Sequence, residues 1–265
     1  MFYLTKNYER RLYFGVPREY VLNNIKNLDE ELDDFFFVVY CAIDKWRNIA
    51  WRYRGTLLSL LEDCGQIIDK KKKMPTSVKK VITILDYMCK KDMIKVISGN
   101  YRVCDQEFIL EIIESNYVSK DNFISLNASY FDFVINSKSS IKKGTLLHIL
   151  LYCLSPYVKG RKVDKETGEI IENWYQVFSE PVSKISKNLG ISKNTVSMAL
   201  NVLSDSDEHS SKPLIMREHS DYMLGIGKNC SCPRIYTTNE YGWEERIQVE
   251  WDYYDKKIAK SKNHN

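Results

Sequence analysis

The chain has 265 residues and a net charge of +4, with 44% hydrophobic residues, enough for two ordinary domains with separate cores. No apolar run is long enough to cross a bilayer. The opening Met1 to Lys6, followed by Glu9, Arg10 and Arg11, is not a secretory signal, so the expectation is a cytoplasmic protein with no membrane partner.

In chain order, Tyr13 to Val21 reads as a short strand turning into a short helix, followed by Ile25. Phe35 to Ile43 is apolar on nearly every side, which predicts a central buried helix. Thr56 to Gly65 places Leu57, Leu60 and Cys64 on one helical stripe, and Gly65 suits a left-handed terminus. The run Lys70 to Lys73 then leads into a helix over Ser77 to Leu85, with Val78, Val81, Ile82 and Leu85 turned inward. Met93 to Ile97 is expected to turn at Ser98, Gly99 and Asn100 and return as Tyr101 to Cys104. Residues 105–121, which include the apolar Phe108 to Ile113, read as a helical linker that packs between the domains or forms a dimer interface.

The same order then recurs. Phe123 to Phe131, with Ile135, matches the first strand and helix, and Leu146 to Leu154 matches the buried helix. An insertion follows, in which Asp164 to Glu169 forms an exposed turn between extended segments, without the spacing of a calcium loop. Pro181 to Gly190 repeats the stripe as Val182, Ile185 and Leu189 before a second terminal glycine. Thr195 to Leu203 turns Val196, Ala199, Leu200 and Leu203 inward. Leu214 to Glu218 returns, after a long loop, as Arg234 to Thr238. The expected division is a first domain at 10–104, the linker at 105–121, a second domain at 122–243 and an extension at 244–265, whose basic end from Lys256 to Asn265 should lack order.

The strongest local pattern is amphipathic helix, Gly190, Ile191, Ser192, amphipathic helix. A tight glycine turn makes two helices cross steeply, and Ser192 can cap the second. Lys193, Asn194, Thr195 and Ser197 then point away from the core, suited to phosphates and base edges in a major groove. Lys184 on the preceding helix, with Arg217, His219, Lys228 and Arg234 along the closing hairpin, could meet the backbone or a minor groove. In the first half the corresponding set is Lys72, Lys73, Thr76, Ser77, Lys79, Lys80 and Arg102.

This helix pair with its flanking strands resembles the helix-turn-helix of winged-helix DNA-binding proteins. The resemblance implies an α+β, mostly helical fold of two tandem winged helix-turn-helix domains. Two such domains in a chain of this size resemble plasmid replication initiators of the theta type and some phage origin proteins. That implies sequence-specific binding of double-stranded DNA at origin repeats, a homodimer and host replication proteins as partners. A transcription regulator of a mobile element, and a winged-helix interaction module without DNA, are the alternatives. No enzyme is expected: there is no Walker loop, HxH or HExxH, and no tyrosine beside a metal-binding histidine pair. No cofactor or metal is expected either. The seven cysteines read as free thiols, and Cys230 and Cys232 with His219 lack a second ligand pair.

Overall fold

The computed structural model describes residues 13–66, 76–113, 123–155, 160–163, 170–174, 177–207, 209–218, 234–239 and 242–262. It is an α+β chain with nine α-helices and small sheets of two or three strands among the described residues. None of its helices is long and apolar enough to cross a membrane. The chain divides into two compact units, residues 1–148 and 149–265.

The first unit opens with β1 (Tyr13–Pro17), α1 (Arg18–Val21) and a short 3-10 turn, then α2 (Phe35–Lys45). As its composition predicts, α2 is buried from Phe36 onward. It packs on β1, on α3 (Leu57–Asp63) and on α4 (Thr76–Lys90). Phe36 lies 5.4 Å from Tyr20 and 6.0 Å from Tyr87, measured between ring centroids. Between α2 and α3 runs β2 (Arg52–Gly55), a strand with no sequence signal beyond the inward Tyr53. β3 (Ile94–Ser98) and β4 (Phe108–Ile112) complete an antiparallel sheet in the order β2-β4-β3.

β4 corrects two expectations. The apolar part of the expected linker is a strand and not a helix: Phe108, Leu110 and Ile112 alternate inward, the period of a strand, while residues 114–121 lie outside the described residues. The strand returning from β3 is therefore β4, and Tyr101 to Cys104 lies in the connection, where the Tyr101 hydroxyl donates to Asp86 at 2.6 Å. Gly99 begins that connection at φ +77°, and a Cβ there would stand 2.1 Å from the Glu107 carbonyl oxygen.

β5 (Phe123–Asn127), α5 (Ala128–Asn136) and the start of α6 (Lys143–Leu154) also belong to the first unit. β5 pairs antiparallel with β1, in a register that sets Val16 against Ile124. The first unit runs to residue 148 and holds both β1 and β5, the opening strands of the two matched segments.

The second unit contains β6 (Gly160–Val163) and β7 (Ile170–Trp174), an antiparallel pair, with the turn expected at 164–169 outside the described residues, then α7 (Val182–Leu189), α8 (Lys193–Leu203) and a short β8 (Ser204–Asp205). β9 (Leu214–Glu218) and β10 (Arg234–Thr238) pair antiparallel with the bounds the sequence predicts. Phe178 bridges Tyr236 of β10, as β2 bridges β4 in the first unit. The order helix, extended segment, helix, helix, strand, strand therefore recurs, and in each case the extended segment bonds to the last strand. α9 (Trp243–Lys262) covers β9 and β10 through a cluster of Ile215, Ile235 and Ile247. The buried Arg246 guanidinium donates to Thr237 Oγ1 and to Thr238 O at 2.9 Å each. Its helical backbone runs through Lys262, where a polar tail without order was expected; no Gly or Pro interrupts it, and Gln248 donates to Asp252 one turn on at 2.8 Å.

Candidate nucleic-acid interface

In the second unit, α7 ends at Gly190 in the left-handed conformation, φ 67° and ψ 22°, and the glycine is exposed. α8 starts three residues later, at Lys193. The Ser192 hydroxyl accepts from the Thr195 N–H at 3.2 Å, as its position predicts. Ser192 and Thr195 also share a hydroxyl hydrogen bond of 2.8 Å, so both are engaged at the cap. Val196, Ala199, Leu200 and Leu203 are buried, leaving the opposite face to solvent. At the other end of α8, Lys212 donates to the carbonyls of Asn201 and Ser204, at 3.1 and 2.9 Å, a cation placed where the helix dipole favours it.

α7 is anchored from behind. The Tyr152 hydroxyl donates to Glu180 at 2.8 Å and accepts from Asn188 at 2.6 Å; burial and its acidic neighbour push that hydroxyl up to about 12. Glu180 also holds Lys184 at 2.6 Å.

The expected DNA-facing residues fall into three groups. Lys193 and Asn194 are exposed and Ser197 half-exposed, and among the described residues their side chains make no hydrogen bond or ion pair. Others carry a partner. Besides Lys184, Arg234 pairs with Glu218 across the strands at 2.7 Å. Arg217 donates to the Ser206 carbonyl and lies 4.6 Å from the Trp243 ring centroid, which draws it towards α9. The third group, Lys228 and His219 with Lys72 and Lys73 of the first half, lies outside the described residues, as do Cys230 and Cys232.

In the first unit, α4 carries Thr76, Ser77, Lys79 and Lys80 on its first turns. Lys79 is exposed and makes no ion pair among the described residues; Lys80 pairs with Asp33 at 2.5 Å. Arg102 pairs with Asp86 of α4 at 2.6 Å, so the β3–β4 connection folds back on the helix. Gly65 has the same left-handed φ of 67° as Gly190, but its carbonyl accepts from Lys143 of α6 at 2.7 Å. Next to it, Asp34 accepts from the buried His148 ring at 2.9 Å and from the Thr145 hydroxyl at 2.8 Å, while the other His148 nitrogen faces the Val21 carbonyl at 3.0 Å. Burial alone would raise the Asp34 carboxyl, but the hydrogen bond and charge of His148, Thr145 and Lys142 outweigh it and hold it below the usual carboxylate range.

Three residues outside the sequence-predicted set join the second unit's open surface. Met198 is 42% exposed, Asn201 is exposed on the same face, and Lys187 is exposed on α7. The signal was present: Met198 and Asn201 stand four and seven positions after Asn194, the helical repeat of an outward stripe. Between Pro181 and Leu203 there are three lysines, Lys184, Lys187 and Lys193, and no acidic residue. No protein family, curated protein or solved structure matches the chain.

Proposed function

We propose that the chain is a sequence-specific double-stranded DNA-binding protein built from two winged helix-turn-helix units, with α8 as the helix that enters the major groove. One observation carries the reading. A capped helix, set by an exposed left-handed glycine turn, presents Lys193, Asn194 and Ser197 with no side-chain partner among the described residues, beside a stretch that is cationic and free of acids. Phosphate contacts from such lysines position a protein on the duplex, and side chains on the helix face read bases. The recurring order of helices and strands supports the winged-helix assignment. Through the resemblance to plasmid and phage replication initiators, repeated origin sequences become the first duplexes to try. A homodimer and host replication proteins belong to the same reading.

The test is a titration of the full chain with duplex DNA over a range of salt. Removing one lysine that neutralises a phosphate should flatten the dependence of log affinity on log salt by about one. Lys187→Ala and Lys193→Ala are each expected to do so on every sequence. Failure to bind any duplex, or a salt slope that neither substitution moves, removes α7 and α8 from the interface and ends this reading.

A further inference from the structure

The chemistry of α8 goes further than DNA binding and points to a class of base pair. Its outward stripe is Asn194, Ser197, Met198 and Asn201, the i, i+3, i+4, i+7 spacing along which helices lying in a major groove present base-reading side chains. Asn194 and Asn201 are two turns apart, about 10 Å along the axis, close to three base-pair steps of about 3.4 Å each. An asparagine amide matches the N6 donor and N7 acceptor of adenine in a bidentate pair. Met198, exposed between them, offers an apolar tip of the kind that meets a thymine methyl.

What the helix lacks is equally informative. Guanine is read chiefly by arginine or lysine at O6 and N7. α8 has no arginine, and its one lysine, Lys193, occupies the first position, where a helix N-terminus favours phosphate. We infer that α8 recognises A·T pairs: adenine opposite Asn194, adenine opposite Asn201 about three pairs away, and a thymine methyl against Met198. This rests on the DNA-binding reading above and adds the base class to it.

The experiment enriches a library of randomised duplexes on the full chain, then replaces each pair of the enriched site in turn. Two A·T pairs about three steps apart are expected, and a G·C pair at either should weaken the wild-type chain about tenfold or more. Asn194→Ala should abolish that penalty at one position and Asn201→Ala at the other, leaving the rest of the profile unchanged. Deoxyuridine in place of the intervening thymidine, which removes only the methyl, should weaken the wild-type chain about fourfold and leave Met198→Ala indifferent. All three side chains lie on an exposed face, and circular dichroism confirms that the variants fold. An enriched site with G·C at those positions, or a base profile unmoved by Asn201→Ala and Met198→Ala, overturns the base class while duplex binding stands. No duplex binding at all overturns both.

Discussion

The two helix pairs, α3 with α4 and α7 with α8, share a turn and differ in what surrounds it. Both turns use a glycine at φ 67°. Around Gly65, the Lys143 ammonium takes the carbonyl and the Ile135 side chain fills the space where a Cβ would sit, 2.5 Å away. Gly190 is exposed. On the outer face of α4, Lys80 is matched by Asp33, and Asp86 draws in Tyr101 and Arg102. On the outer face of α8, no side chain from Lys193 to Asn194, nor Ser197, meets a partner among the described residues. The lesson is that a helix-turn-helix pattern fixes a crossing of two helices but not whether the second helix is available. In the first unit the pair is locked into a scaffold; in the second it is presented.

The lock itself gives the largest expected effect. His148→Ala removes the buried partner of Asp34 and the ring that lies tilted against Phe37 at a centroid distance of 4.3 Å, and should destabilise the first unit by about 3–5 kcal/mol. Denaturant unfolding followed by a probe in each unit measures it; equal stability would mean that the lock is ornamental. The same pair sets an acid limit. The Asp34 carboxyl is depressed in the folded state, so its contribution is complete above about pH 4, its ordinary value being 3.8, and is lost as pH falls through the lower folded value. A stability profile in which the wild-type chain and Asp34→Asn lose stability in parallel through that acid range would contradict the assignment.

The two glycines test the comparison directly. Alanine at Gly65 meets both the left-handed strain and the crowding by Ile135 and Lys143, together about 3 kcal/mol. Alanine at the exposed Gly190 should cost about 1 kcal/mol, from backbone strain. Thermal melts of the two variants rank them, and a Gly190→Ala penalty equal to that of Gly65→Ala would erase the difference in packing. The smallest effect is expected at the paired surface cation: Lys80→Ala should change stability by less than about 1 kcal/mol. It should leave duplex affinity within about twofold, where Lys193→Ala does not. A loss at Lys80 as large as at Lys193 would put α4 on DNA as well.

The elements legible in the sequence were those fixed by local chemistry. The inward stripes of α3, α7 and α8, the cap at Ser192 and both terminal glycines follow from helical periodicity and from which residues tolerate positive φ. β10 could be read because Ile235, Tyr236, Thr237 and Thr238 are β-branched or aromatic, and β9 because its short apolar start, Leu214 to Met216, is followed by charged residues. Asn194 and Ser197 follow from the same periodicity, and its outward phase, traced as closely as the inward one, also reaches Met198 and Asn201.

Tertiary structure alone decided the rest, because the deciding partners are far away in the chain. Phe108 to Ile112 is too short and too uniformly apolar for periodicity to distinguish helix from strand, and only β2 and β3, pairing on either side, make it β4. The pairing of β1 with β5 joins segments more than a hundred residues apart, which no local window can see. Charge shows the limit most clearly. Lys80, Lys184, Arg102, Arg217 and Arg234 are cations in the sequence like Lys193, yet each is engaged by an acid, a carbonyl or a ring once the chain folds. Sequence supplies the charge, but whether that charge faces solvent or a partner depends on the packing around it.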